Sequence, residues 1–417
     1  MMLSLYRLLT LLLTPLALLR LERGGLADGR WRERLGRITP PSKQRVWIHA
    51  ASVGEVNAAQ GLIQALLDDG ESLLLSTMTR TGAERIQTLF GQRVEHRYVP
   101  LDNPLATRRW LARARPRLGI IMETEIWPEL FLRAGHSGIP LIMVNARLSE
   151  SAFARYRKLQ GLFATALKTL ALAICQTSTD AERWRQLGLP DARIQISGNL
   201  KFDARIPDQT IELAEQISSR FGSRPTWTAG STRHGEEALL LEAHTRVLTE
   251  IPDTLLLLAP RHPERADEVS RLLDQSGRRW CRFDDSPDQP VEVILIDRIG
   301  VLLSCYAAAS VAFVGGSLVE LGGHNLLEPA TLGKAVLAGP YLANQAEAAA
   351  ALKQSGGLTI VSEVQALTEA LSTLLGDPEL ARQQGGLAQA AVAAGAGSLQ
   401  RTLNWLRPWL EAQGRPS

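Results

Sequence analysis

Between Val314 and Pro329 the chain reads VGGSLVELGGHNLLEP, two glycine pairs with a Ser, a His, an Asn and a Glu, directly behind the apolar run Ala308 to Val314. That run reads as a buried strand, and paired glycines after a strand let backbone approach a ligand without side-chain clash. An Asn or Ser ahead of Leu326 can cap a following helix whose free N–H groups attract phosphate, and Glu328, one turn in, is placed to grip ribose hydroxyls. The competing reading is a plain strand–loop–helix connection with glycines for turn geometry; two GG pairs followed by HNLLEP weigh against it.

Other clusters of polar residues fall at apparent strand ends. In the second half of the chain, Ala229-Gly-Ser-Thr232 offers close approach at Gly230 and the hydroxyls of Ser231 and Thr232. Pro260-Arg-His-Pro-Glu-Arg265 offers the guanidinium of Arg261, a donor fork suited to phosphate and otherwise a partner for Glu264. Asp297-Arg-Ile-Gly300 offers a turn whose backbone can read a base edge. These loops, with the glycine-rich stretch, are what a nucleotide site requires.

In the first half, His49-Ala-Ala-Ser-Val-Gly-Glu55 sets Ser52, Gly54 and Glu55 at a strand-to-helix turn, where Ser52 can equally be a helix cap. Met122-Glu-Thr-Glu-Ile-Trp-Pro128 sets Glu123 and Glu125 where a third strand exits to its loop. Carboxylates there need partners, and in a cleft one can orient a cation or stabilise positive charge developing on a sugar ring. Asn145 and Arg147 end the next strand, and Lys201 in Gly198-Asn-Leu-Lys-Phe-Asp203 stands at a domain junction, placed to meet a phosphate. No DxD pair stands near a strand end and the seven histidines lack HExxH spacing, so neither a metal clamp nor a cofactor is indicated.

The elements that must position these residues alternate. Val46–His49, Leu73–Thr77, Gly119–Met122 and Leu141–Val144 read as strands, with helical patterns at Asn57–Leu67 and Thr81–Phe90 between. The pattern pauses around a polar amphipathic helix flanked by Pro207 and Pro225, then restarts with Thr226–Ala229, Thr254–Ala259, Val293–Ile296 and Val311–Val314. Such alternation predicts two doubly wound α/β domains, at 22–203 and 225–390, joined by a linker at 204–224, with ligands held at the carboxyl ends of the strands in a cleft. The alanine-rich tail from Leu380 to Glu411 reads as helical, with a final helix over 391–417.

A length of 417 residues fits two or three domains, and 46 basic against 43 acidic residues leaves a net charge of +3, too little for a nucleic-acid binder. The three cysteines are scattered, as in a reducing compartment. Leu8 to Leu19 is uncharged and mostly Leu, and the stretch after it is basic, with Arg20, Arg23, Arg30, Arg32, Arg34 and Arg37. No convincing small-x-small cleavage site follows the apolar core, so residues 1–21 read as a retained membrane anchor with the globular part on the cytoplasmic side. The alternative is an apolar helix docked on the protein's own surface.

In order, the segments RWRERLG, HAASVGEV, ETEIWPE, NARLS, GNLKFD, AGSTR, PRHPER and GGSLVELGGHNLLEPA closely resemble the 3-deoxy-D-manno-octulosonic acid (Kdo) transferases of lipopolysaccharide synthesis, over nearly the whole chain. The resemblance implies a GT-B glycosyltransferase of two Rossmann-like domains with an N-terminal anchor in the inner membrane, CMP-Kdo as donor and a lipid A precursor as acceptor. It implies Glu33 of RWRERLG as catalytic base, with Glu123 and Lys201 stabilising the transition state. Read from the residues alone, Glu33 is by default a salt-bridged surface side chain. CMP contacts would fall on Pro260, Arg261, the backbone of Ile299, Gly300 and Val301, and Asn325, Leu326, Leu327 and Glu328. Gly315, Gly316, Ser317, Gly323 and His324 complete the candidate donor loop. The family often has an acid where Val301 stands, and often reads STHxGEE where this chain has Ser231-Thr-Arg-His-Gly-Glu-Glu237. The rival is a membrane-tethered sugar-nucleotide binding protein without turnover.

Overall fold

The computed structural model describes residues 2–23, 29–41, 43–203, 206–207, 209–222 and 224–412. It divides into two compact units, Met1–Asp203 with Ala396–Ser417, and Ala204–Gly395.

The first unit is built on seven strands: β1 (Val46–His49), β2 (Leu73–Thr77), β3 (Glu95–Tyr98), β4 (Leu118–Met122), β5 (Leu141–Ala146), β6 (Leu170–Cys175) and β7 (Ile194–Ile196). Their order is β3-β2-β1-β4-β5-β6-β7, and every pairing is parallel. Neighbouring residues of one strand enter opposite layers. Trp47 packs with Trp110, Ile121 and Phe131, while Val46 and Ile48 pack with Leu62, Ile120 and Leu406. Covering both faces makes these strands unbroken apolar runs, which is why they are legible. Strand β3 is the exception: Glu-His-Arg-Tyr at the sheet edge has no apolar run, so ETEIWP follows a fourth strand and not a third.

The second unit repeats the plan with β8 (Thr226–Thr232), β9 (Leu255–Pro260), β10 (Trp280–Arg282), β11 (Val293–Leu295), β12 (Val311–Val314), β13 (Ala335–Ala338) and β14 (Leu358–Ile360). Its order is β10-β11-β9-β8-β12-β13-β14, again all parallel. The run before β12 is less strand than expected, because Leu302–Ala308 is a helix. The amphipathic helix expected between Pro207 and Pro225 is Gln209–Phe221, and it puts Ile217 into this unit's core beside Leu255 and Ile294.

The alanine-rich tail is two helices. Pro378–Gly395 packs Ala381 into the second unit's core, and Ser398–Ala412 returns Leu406 to the first unit's. The Asp203 carboxylate starts the latter by accepting from the backbone N–H groups of Gly397 at 2.6 Å and Leu399 at 2.8 Å.

In each sheet the chain crosses to the other side of its first strand, between β1 and β4 and between β8 and β12; in the second sheet β11 also inserts between β9 and the edge strand β10. Loops leaving the carboxyl ends of two such strands diverge and open a crevice. HAASVGE and ETEIWP flank the first reversal; AGSTR and GGSLVELGGHN flank the second.

Candidate active site

At the first crevice, Ser52 caps the helix Val53–Asp68 by accepting from the Glu55 N–H at 3.4 Å, and Glu55 returns a bond from the Ala51 N–H to Oε2 at 2.8 Å. This cap brings Glu55 among the carboxylates of Glu123 and Glu125. Burial, and then those two charges, push the Glu55 carboxyl up to about 8, so it holds its proton at neutral pH. Burial also raises Glu125, against the hydrogen bond it accepts from the Trp127 indole at 2.8 Å.

Glu123 stands after β4 with φ of 54°, a left-handed conformation costly for a side chain of its kind. That turn aims its carboxylate at Lys201, whose Nζ lies 3.7 Å from Oε1. Lys201 is itself fixed through its N–H, which donates to Asn199 Oδ1 at 3.0 Å. Asn145, also left-handed at φ 55°, accepts from the Leu200 N–H at 3.0 Å, so β5 anchors the loop that carries the lysine. The Asn145 side chain is fully buried, which makes it a loop anchor and not a ligand contact. Arg147 contributes its carbonyl to the Thr124 hydroxyl. A Cβ on Gly54 would meet only Ser52 Oγ, at 3.8 Å, so no close approach demands that glycine.

Glu33 belongs to a different cluster. It lies on the short helix Trp31–Arg34 and takes Arg30 Nη2 on both oxygens, at 2.8 and 2.9 Å. Its Oε2 also accepts from the Tyr98 N–H at 2.8 Å, placing it at the carboxyl end of β3. Three strand spacings separate β3 from β4, roughly 14 Å. Glu33 is salt-bridged as its neighbours suggest, yet its side chain is only 15% exposed. Arg30 Nη1 also donates to His96 Nδ1 at 3.2 Å, which leaves Nε2 as the protonated nitrogen, donating to Thr77 Oγ1 at 3.0 Å. Burial, with Arg30, Arg97 and Arg34 close by, holds His96 down to about 3 and therefore neutral.

The second crevice is organised by a residue that motif reading overlooked. Glu236 is fully buried, and its carboxylate accepts from the N–H groups of Arg233 (2.8 Å), Gly316 (2.7 Å), Ser317 (2.9 Å) and Leu318 (2.9 Å). The donors that the glycine-rich turn would offer a phosphate are thus already used by the protein. Two further amides close on the loop itself, Gly323 N–H to Gly316 O at 2.7 Å and His324 N–H to Gly315 O at 3.1 Å. The glycines are required by protein packing: a Cβ on Gly315 would stand 2.5 Å from Ser231 O, and one on Gly316 2.9 Å from the His324 ring. Expected contacts at Gly315, Gly316, Ser317 and Gly323 are corrected accordingly. A signal existed, since Thr232-Arg-His-Gly-Glu236 leads into the helix Glu236–Glu250 with acids in its first turn.

Several other side chains turn inward. Thr232 is buried and donates to Glu237 Oε1 at 2.9 Å; Pro260, Val301, Leu326 and Leu327 are buried, leaving only their backbones for a ligand. What still faces outward is cationic. Arg261 is exposed, and its guanidinium has no acid partner among the described residues, Glu264 included. Arg233, missed earlier, has a buried Nε without a hydrogen bond. Burial and then Arg261, Arg233 and His262 hold His324 down to about 4, so it is neutral with a buried, unpartnered Nε2. Ser231 is left-handed at φ 55° and half-buried. Asn325, two residues ahead of the helix Leu327–Thr331, accepts from the Leu327 N–H at 3.2 Å and donates to Glu328 Oε1 at 3.1 Å. Ile299, 80% exposed, and Gly300 form an open turn.

Comparison with known proteins fits this geometry. Residues 29–204 match the family described as 3-Deoxy-D-manno-octulosonic-acid transferase (kdotransferase). A 3-deoxy-D-manno-octulosonic acid transferase of Haemophilus influenzae is 36% identical, across 97% of this chain and 98% of its own. One from Bordetella pertussis is 35% identical, across 93% and 95%. Acinetobacter baumannii MurG, 14% identical over 88% of this chain and 100% of its own, superimposes with a TM-score of 0.55 and shares the GT-B fold.

Proposed function

This chain belongs to the 3-deoxy-D-manno-octulosonic acid transferase family, a glycosyltransferase family of lipopolysaccharide biosynthesis, and on that premise we propose that it moves Kdo from CMP-Kdo to lipid IVA with inversion. The acceptor hydroxyl oxygen bonds to the anomeric carbon as the bond from that carbon to the CMP phosphate oxygen breaks. We place the reaction at the cytoplasmic face of the inner membrane, with 1–21 as the membrane-attached segment.

The observation that carries this reading is the opposite charge of the two crevices. Arg261 and Arg233 meet the CMP phosphate, and neutral His324 can donate to it without adding a charge; Ile299 and Gly300 offer backbone to the base, and Glu328 a carboxylate to ribose. Glu123 opposes the positive charge that develops on the sugar ring as the bond breaks, while Lys201 offsets charge on the departing phosphate. Glu33 takes the acceptor proton, which goes to whichever oxygen Arg30 releases. Because Arg30 covers both, the acceptor must draw Arg30 away first, and an acceptor phosphate is the group chemically suited to do so.

The test is Kdo transfer from CMP-Kdo to radiolabelled lipid IVA, with products counted by chromatography for the native chain and Glu33→Ala. Product from the native chain and near-total loss in the variant support the assignment. CMP binding by the native chain without product supports the binding-protein alternative.

A further inference from the structure

The N-terminal helix Met2–Arg23 has 22 residues, and at ~1.5 Å per residue it is roughly 33 Å long, enough to cross a bilayer core of about 30 Å. Length therefore permits both a spanning and a surface arrangement. Coverage separates them. A stripe at Leu3, Tyr6, Arg7, Thr10, Thr14 and Leu21 is partly covered by the first unit, from one end of the helix to the other. Leu5 (56%), Leu8 (54%), Leu12 (68%), Leu16 (61%) and Leu19 (45%) are exposed on the remaining surface.

The covered stripe is held by polar bonds. Tyr6 Oη donates to Asp102 at 2.6 Å, Arg7 Nε donates to Glu129 at 2.7 Å, and Asn103 Nδ2 donates to Thr14 Oγ1 at 3.0 Å. The partners are structural fixtures of the unit. Asp102 accepts from the N–H groups of Glu129 and Leu130 at 3.0 and 2.8 Å, Asn103 caps the helix Pro104–Ala114, and Glu129 is fully buried. A spanning helix that stayed docked would carry Arg7 and Glu129 into hydrocarbon, at several kcal/mol each, and one that undocked would lose all three bonds.

We propose that this helix lies in the plane of an anionic phospholipid leaflet, docked to the first unit through Tyr6, Arg7 and Thr14 with its leucine face in the acyl region. The proposal rests on the membrane attachment given above and specifies its geometry. The surroundings of the leucine face match such a surface. Arg20 on the helix is exposed, and the helix capped by Asn103 carries exposed Leu105, Arg108 and Arg109. The segment with exposed Trp31, Arg32 and Arg37 packs on that same helix, where a Cβ on Gly36 would stand 2.4 Å from Ala106 O. Arginines beside an apolar face meet anionic head groups, and Trp favours the same depth.

The experiment uses the full chain on vesicles of phosphatidylcholine with and without phosphatidylglycerol. Spin labels are placed singly through Leu5→Cys, Leu12→Cys and Leu19→Cys; native Cys175, Cys281 and Cys305 are buried and stay unlabelled. Expected are binding at least tenfold stronger with phosphatidylglycerol and equal label depths, within about one helical turn. Depths stepping by about 10 Å per seven residues mean a spanning helix and overturn the in-plane geometry while leaving attachment intact. Absence of vesicle binding, with a dimer covering the labels, overturns both. Leu12→Asp with Leu16→Asp should abolish binding at an unchanged thermal midpoint, since those side chains face outward. Arg7→Ala with Tyr6→Phe should keep binding but scatter the depths; an unchanged profile overturns the docking contacts.

Discussion

At the β1/β4 reversal the loops and the helix start carry Glu55, Glu123 and Glu125, with the Lys201 ammonium 3.7 Å from Glu123; around the β8/β12 reversal the loops carry Arg233, Arg261, His262 and His324. The backbone device is shared. Each crevice has a non-glycine residue held left-handed at a strand end, Glu123 at φ 54° and Ser231 at φ 55°. Such residues cost of order 1–3 kcal/mol and persist where surrounding structure fixes them. One scaffold is thus equipped for opposite charges: an acidic crevice suits a ring becoming positive, and a basic one suits a phosphate becoming negative. What the fold contributes is the crevice; what the side chains contribute is its sign.

That division breaks most sharply at the acidic crevice. Glu123→Ala should lower transfer by about 10²–10⁴-fold with CMP affinity unchanged, because it touches only the unit that does not hold the nucleotide. Its stability should fall by no more than about 1 kcal/mol, since the ion pair lost to Lys201 is a long one at 3.7 Å and alanine keeps the Cβ and with it the left-handed strain. A parallel fall in CMP affinity by calorimetry would mean that the crevices are not separate in function. At the basic crevice, Arg261→Ala should weaken CMP binding about 10–100-fold, the worth of a charge-assisted hydrogen bond pair, and leave Glu55 and its neighbours unaffected. Unchanged CMP affinity would remove Arg261 from the donor site.

Legibility followed chemistry unevenly. Parallel strands buried on both faces are continuous apolar runs, so β1, β2 and β12 can be read with their ends intact, whereas polar β3 at the edge cannot. Glu55, Glu123 and Lys201 were visible because charged residues at the ends of such runs need partners. The glycine-rich loop misled for a physical reason: glycine spacing records that something comes close, and does not say whether it is a ligand or the protein's own chain. Here Ser231 O and the His324 ring come close, and Glu236 occupies the amides. Left-handed Asn145 left no trace in composition, because its role is set by the Leu200 N–H, 55 residues away.

Glu236 tests whether the basic crevice is pre-built. With four N–H groups on one buried carboxylate, Glu236→Ala should cost on the order of 3 kcal/mol and weaken CMP binding through loss of loop order, visible as a lowered denaturant midpoint. An unchanged midpoint would mean that the loop is ordered by something else.

The smallest effect is the most specific to the acidic side. The Glu55 carboxyl, ordinarily near 4.5, is raised to about 8 by burial and by Glu123 and Glu125. Between those values the unfolded chain has lost this proton and the folded chain has kept it, so the folded state loses stability as pH rises. Glu55→Gln keeps the shape and removes the titration. The variant should therefore gain on the parent steadily from pH 4.5 to pH 8 and hold a constant lead above that, as read from urea midpoints across the range. A lead independent of pH would mean that Glu55 is ionised in the folded state, and that the first crevice carries three negative charges against Lys201 instead of two.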